Sequence, residues 1–193
     1  MKTLFLDTEG NAGKPEQMCQ LAYVSVEDGI ATGRNFYFAV DCMNEHAYAI
    51  HGLSKYRLYE MSGGKNFKQR FSEFSDDLLT TDRFVGHNIK ADIRCLNIEF
   101  GRCELALPQV PTFCTMKYFD NALHLRSKTG QRKPPKLREL CRYFGLKDDA
   151  IQEECAKIFG LSDYRSHDAR FDATATYLCV KEAQNRGDVK GVF

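Results

Sequence analysis

Residues Phe5–Gly10 read FLDTEG. From Thr3 to Thr8 the chain is short and apolar, and Gly10 punctuates its end, so a β-strand is predicted. Alternate residues of a strand point the same way, which puts Phe5, Asp7 and Glu9 on one side. A strand with a core-facing apolar side therefore carries two carboxylates at its far end on that side. Unpaired buried charge is costly, so other parts of the chain must supply what faces these acids.

Working outward, Met18–Val26 (MCQLAYVSV) and Thr32–Val40 (TGRNFYFAV) read as two more strands, joined through the turn signal EDG with Gly29. Three strands with short links predict an antiparallel meander. The period then changes. Phe67, Phe71, Phe74 and Leu78 predict one amphipathic helix. A short strand follows at Arg83–Val85. Ile89, Ile93, Leu96 and Phe100 predict a second helix, with Asn88 as N-cap and Gly101 as its stop. Thr112–Cys114 is a candidate fifth strand. Leu137, Leu140, Cys141 and Phe144 give a short helix with Gly145 at C′. Ile151 to Phe159 gives another, stopped by Gly160, and a last helix runs from about Asp168 to Gln184. The expectation is an α/β fold with a mixed five-stranded sheet, three antiparallel strands first and parallel additions after, flanked by helices. One domain is expected over 1–185, with a loosely held tail over 186–193.

Two further acids sit in apolar settings. Asp92 borders the buried stripe of its helix, between Ile89 and Leu96. Asp172 shares a face with Ala175, Thr176, Cys179 and Ala183, small residues that let a helix lie close to a sheet. Four carboxylates from three elements would repel one another and raise their pKa values. A divalent cation resolves this, and an all-oxygen donor set suits Mg²⁺ or Mn²⁺. Carboxylates that leave positions open for water and phosphate are what two-metal phosphodiester chemistry requires. A base to activate water has two candidates, since His87 with Asp92 and His167 with Asp172 both form H-x-x-x-x-D. Five residues turn a helix through about 500°, so each His belongs on the loop ahead of its helix. The spacing does not choose between them.

The net charge of +1 excludes bulk-charge adhesion to nucleic acid, leaving a local patch. No apolar run reaches the length of a membrane span, and acids interrupt the N-terminal segment where a signal peptide would be apolar; a cytoplasmic location is the expectation. The eight cysteines have no C-x-x-C spacing and read as reduced, mostly buried thiols.

FLDTEG, GHNIKAD (Gly86–Asp92) and HDARFD (His167–Asp172) together resemble the three motifs of the DEDDh 3′-5′ exonucleases. This is the DnaQ-like family that includes replicative proofreading subunits, ribonuclease T and oligoribonuclease. AIHGLS (Ala49–Ser54) resembles a family stretch beside the 3′-terminal nucleotide, and KLRELCRYFGL resembles the helix between the second and third motifs. The resemblance covers roughly Thr3 to Gln184 and implies a ribonuclease H-like fold. It implies that Asp7, Glu9 and Asp172 hold one of two divalent cations, Mg²⁺ or Mn²⁺, with Asp7 bridging to the second. Asp92 would complete the cluster through water or the second ion. It makes His167 the general base and His87 a supporting polar residue. It also implies substrate contacts at Thr8, Gly10, His51, Leu53, His87 and Asn88. Residues 147–166 are longer than in compact members, which predicts an extra helix.

The expected activity is therefore release of nucleoside 5′-monophosphates from the 3′ end of single-stranded nucleic acid, DNA slightly ahead of RNA. The alternatives are a non-catalytic nucleic-acid-binding module on this fold, or an RNA-trimming enzyme like oligoribonuclease or ribonuclease T. The basic stretch RSKTGQRKPPKLRELCR offers a phosphate track at Arg132, Lys133 and Lys136. No clamp- or polymerase-binding motif is present, so polymerase association is unsupported. The resemblance admits a homodimer.

Overall fold

Strand β1 (Lys2–Gly10) is paired on both edges. Strand β2 (Met18–Glu27) runs antiparallel to it, with Asp7 opposite Ala22, and β3 (Ile30–Tyr37) continues the meander. The chain then passes through helices α1 (Glu45–His51), α2 (Lys55–Ser62) and α3 (Phe67–Arg70), a 3₁₀ turn at Phe71–Glu73, and α4 (Ser75–Leu79). Strand β4 (Arg83–Gly86) pairs parallel to β1, helix α5 (Ile89–Arg102) follows, and β5 (Thr112–Cys114) pairs parallel to β4. Helices α6 (Thr115–Leu123), α7 (Leu137–Phe144), α8 (Asp148–Phe159) and α9 (Ala169–Asn185) complete the order. The sheet order is β3-β2-β1-β4-β5, the mixed five-stranded sheet that the sequence predicts. The computed structural model describes residues 1–160 and 167–193.

Alternation along the central strands builds two core layers. Leu4, Leu6, Leu21, Tyr23 and Phe84 pack with Phe67, Phe74, Leu78, Leu96 and Phe100 on one face. Phe5, Val24, Val26 and Val85 pack on the other with Leu140, Phe144, Ile151, Cys155, Phe171 and Ala175 from α7, α8 and α9. Strand β2 is buried from Met18 to Val26 because helices cover both its faces. Helix α8 crosses β3 at Gly33, where a Cβ would come within 2.6 Å of Ile158. This is the extra helix expected in 147–166, and the remainder of that stretch, 161–166, lies outside the described residues.

Several expectations are corrected. The single helix expected over 67–78 is broken into α3, a 3₁₀ turn and α4. Phe74 leaves helical geometry at φ −138° to place its ring 4.9 Å from both Phe36 and Phe67. That aromatic packing outweighs the few tenths of a kcal/mol that helix propensity offers per residue. Strand β3 stops at Tyr37, not Val40, because Ala39 turns its N–H to Lys65 O (2.9 Å). Gly101 lies inside α5, which ends one residue later, where the Cys103 N–H reaches Phe100 O (2.9 Å). Helices α1, α2 and α6 were not expected. The first two are held by their ends: Asn44 and Ser54 cap their N-termini, and Gly52 and Gly63 close them with left-handed φ. The tail is not loosely held. Val189 and Val192 are buried, the Phe193 ring lies 5.3 Å from Phe5, and Thr3 Oγ1 donates to Val192 O (3.1 Å).

Candidate active site

The acids of β1 meet the acid of α9 at the C-terminal end of β1. Asp7 and Glu9 stand on the Phe5 side of the strand, the side that α9 covers. The small face of α9 (Ala175, Thr176, Cys179, Ala183) is fully buried, so the helix lies close and delivers Asp172 from its first turn. One oxygen from each of Asp7, Glu9 and Asp172 falls within 4.8 Å of the others. Between the pairs Glu9–Gln20 and Gly10–Met18 the register slips, leaving Cys19 as an extra residue on β2. Such bulges re-aim side chains beside functional sites.

Asp92 arrives from α5 and is buried. Its Oδ1 accepts from the Thr8 main-chain N–H (3.0 Å) and from the Thr8 hydroxyl (2.8 Å). Burial pushes all four carboxyls up, and mutual repulsion adds to it. Asp7 stands well above the usual carboxylate range, Glu9 is raised to about 8, and Asp92 and Asp172 to about 7. The Thr8 bonds oppose the rise at Asp92, and the His167 N–H opposes it at Asp172. A fifth acid, Asp168, adds repulsion to Asp7, Glu9 and Asp172. It is the N-cap of α9 and is held by Arg170 (2.6 Å) and Gln20 (3.2 Å). Convergent, protonation-prone carboxylates of this kind form a hard oxygen donor set that a divalent cation fits, since binding it displaces protons and removes the repulsion.

His167 is exposed beside the cluster. Its backbone is left-handed (φ 67°) and its N–H donates to Asp172 Oδ2 (3.2 Å). It shares the wall of a 390 Å³ cavity with Asp172, Lys136 and Arg138. On the other side, Glu9 and Gly10 line a 420 Å³ cavity with His46, Ile50 and His51. His51 is buried. Its Nδ1 accepts from the Leu53 N–H (3.0 Å), which leaves the proton on Nε2. That Nε2 is buried without a hydrogen-bond partner among the described residues, and the nearby Gly10 backbone favours the protonated ring against its burial.

The other sequence candidates are placed as follows. Leu53 packs under the site against Cys19, Val40 and Leu58. His87 is tied at both ring nitrogens, to Thr115 Oγ1 and Pro135 O (3.0 Å each), which fixes the entry to α5. Asn88 occupies the N-cap position but with φ 72° and no side-chain capping bond, because its left-handed backbone does not aim the side chain at the helix N–H groups. Arg132 binds Asp120 and Asn121, and Lys133 binds Glu139 (2.6 Å). Lys136 is exposed at the 390 Å³ cavity with His167. Sequence reasoning missed the Arg94–Glu16 pair (2.6 Å), which rims the cavity beside Glu9. The partners are 78 residues apart, and no local pattern marks them.

The sequence matches the Exonuclease family, RNase T type, over residues 4–179. It has no significant match among curated proteins. Exonuclease I in its apo form superposes with a TM-score of 0.73 at 15% identity, over 95% of this chain and 42% of that one. The zinc-bound form of the E. coli Exonuclease I–ssDNA complex superposes with a TM-score of 0.69 at 17% identity, over 97% of this chain and 41% of that one. The chain thus spans about two fifths of the length of these neighbours, and the likeness shows the fold, the ribonuclease H-like sheet and helices. No helix among the described residues is long and apolar enough to cross a membrane. With the family model covering residues 4–179, and Asp7 and Glu9 of β1 brought to Asp172 of α9 inside that region, the chain belongs to the RNase T exonuclease family.

Proposed function

We propose that the chain is a metal-dependent 3′-5′ exonuclease acting on single-stranded nucleic acid, DNA slightly ahead of RNA, and releasing nucleoside 5′-monophosphates. The observation that carries this reading is the convergence of Asp7, Glu9 and Asp172 within 4.8 Å, between a cavity on the Glu9 side and one on the Asp172 side. A scissile phosphate at the acids would leave the terminal nucleoside in the first cavity and the rest of the strand in the second.

Asp7, Glu9 and Asp172 would hold two divalent cations, Mg²⁺ or Mn²⁺, with Asp92 completing the set. Bound there, such ions neutralise phosphate charge and acidify water. The protein residues do the rest. His167 takes a proton from the attacking water at a ring nitrogen. The water oxygen bonds to phosphorus in line, the bond to the 3′-oxygen breaks, and that oxygen leaves with a proton from solvent. His51 offers its Nε2–H to the terminal nucleotide. The ssDNA bound to the neighbouring Exonuclease I supports the choice of polymer.

The test uses 5′-labelled single-stranded DNA and RNA of one sequence, with Mg²⁺, with EDTA, and with Asp7→Ala. A ladder shortening from the 3′ end, absent with EDTA and with Asp7→Ala, is expected. His167→Ala should lower the rate sharply while metal binding persists. Retention of the strand without cleavage in Mg²⁺ and Mn²⁺ would replace this reading with a binding module.

A further inference from the structure

The basic residues that the sequence offered as a phosphate track are largely engaged within the protein. Arg132 is bound by Asp120 and Asn121, and Lys133 by Glu139. Lys136 stays exposed at the cavity of His167, and further solvent-facing cations lie at the end of the same stretch and just past it. Arg138 and Arg142 are four residues apart on α7, so they share a face about 6 Å apart along the axis. Lys147 stands at the adjoining α7–α8 turn. Neither Arg142 nor Lys147 makes an ion pair among the described residues. These three line a 690 Å³ cavity together with Asp148 and Asp149, three cations against two acids. That cavity shares Arg138, Cys141 and Asp148 with the 390 Å³ cavity that holds His167 and Asp172. The two therefore adjoin across the Arg138–Asp148 pair (3.0 Å), whose side chains are 67% and 56% exposed. A pair so exposed contributes little and exchanges partners readily.

Resting on the exonuclease reading, we propose that the polynucleotide upstream of the scissile bond runs from Asp172 over the α7–α8 turn. Its backbone phosphates meet Arg138, Arg142 and Lys147, and Arg138 releases Asp148 to bind one of them. The loop cations Arg132 and Lys133 shape the loop instead. Charge complementarity and continuity with the acid cluster both point to this one occupant, a single strand of linked phosphates. A dinucleotide is too short to reach Arg142 and Lys147, so the groove rewards chain length.

Two measurements on the whole chain test this. The first is kcat/KM for a 12-nucleotide deoxyoligomer relative to a deoxydinucleotide. The second is the Kd of the fluorescein-labelled 12-mer for an Asp7→Asn background, titrated against NaCl. With Arg142→Glu/Lys147→Glu the ratio of kcat/KM values should fall about tenfold or more. The slope of log Kd against log salt should shrink by about 1.4, or 0.7 for each phosphate lost. Asp148→Asn, which frees Arg138, should tighten binding of the 12-mer about threefold. A structural defect would not produce that gain. Arg142→Gln/Lys147→Gln should shift both readouts in the same direction as the Glu variant, and less far. An unchanged ratio with an unchanged salt slope, or weaker binding in Asp148→Asn, would overturn the proposal. Failure of the wild type to cleave either substrate would count against the exonuclease reading alone, because the binding titration still reports on the groove.

Discussion

Thr8 holds Asp92 by two atoms, its main-chain N–H and its hydroxyl, both on the same oxygen at 3.0 and 2.8 Å. Neighbouring residues of β1 thus have opposite tasks. Asp7 and Glu9 face Asp172, while Thr8 fixes the acid of α5. Thr8→Val keeps the shape and the N–H but removes the hydroxyl. A hydrogen bond to a charged group contributes about 1.5–3 kcal/mol, so kcat should fall about tenfold. Losing a donor raises the metal-free pKa of Asp92 further, so protons compete better with a cation and the acidic limb of Mg²⁺ binding against pH should move to higher pH. An unmoved limb would count against this role for Thr8.

The acid cluster should make the metal-free protein less stable as pH rises. Asp7, Glu9, Asp92 and Asp172 all have folded pKa values above their ordinary ones, reaching about 7 to about 8 where a value is resolved. Between the ordinary carboxylate range and that level the folded state holds more protons than the unfolded one. Stability therefore declines with pH across this window. Thermal unfolding in EDTA should give a lower Tm at pH 8 than at pH 5.5. Adding Mg²⁺ should raise Tm more at pH 8, where fewer protons compete. Asp7→Asn should raise the metal-free Tm at pH 8 by about 2–6 °C and lose most of the Mg²⁺ shift.

Two histidines in the same sequence pattern should separate by experiment. His87 is bound at both ring nitrogens, so His87→Ala should cost about 1–3 kcal/mol of stability in urea unfolding and leave the shape of the pH–rate profile as it was. His167 makes its bond to Asp172 through the main chain, which alanine retains. His167→Ala should therefore leave Tm within about 1 °C, since surface changes contribute little, and remove the limb that reports the base. The reverse pattern would exchange their roles.

Gly33 is where α8 meets the sheet. A Cβ there would lie 2.6 Å from Ile158 and 2.8 Å from Phe159. Gly33→Val should cost about 1–3 kcal/mol through overpacking, read as a lower urea midpoint with an unchanged m-value. Unaltered stability would mean that α8 can lift off β3.

The chemistry was legible where it followed local period. FLDTEG places Asp7 and Glu9 on one face by strand alternation alone, and the small residues after Asp172 mark a helix pressed to a sheet. What stayed hidden depends on pairs far apart in sequence. Thr8 and Asp92 are separated by 84 residues, and Glu16 and Arg94 by 78. Charge alone also gave no sign that Asp120 and Glu139 pair with Arg132 and Lys133 of the basic loop. The helix expected over 67–78 failed for a related reason. Its phenylalanines obey a helical period, yet Phe36 and Phe38, which decide the packing, come from β3 and from the segment just past its end.

The closure of the tail onto the first strand bears on how the protein is made. Thr3 bonds to Val192 across 189 residues, and the Asp7 carboxyl waits for Asp172 from the last helix. On a ribosome, β1 emerges well ahead of its partners β4, α9 and residues 186–193. Contacts of such long sequence separation slow folding, and strand edges left open meanwhile invite aggregation. The same order is protective for a nuclease. The carboxylates of β1 cannot meet Asp172 until α9 has been synthesised, so on the proposed function a nascent chain that has not yet reached α9 carries no assembled cutting site.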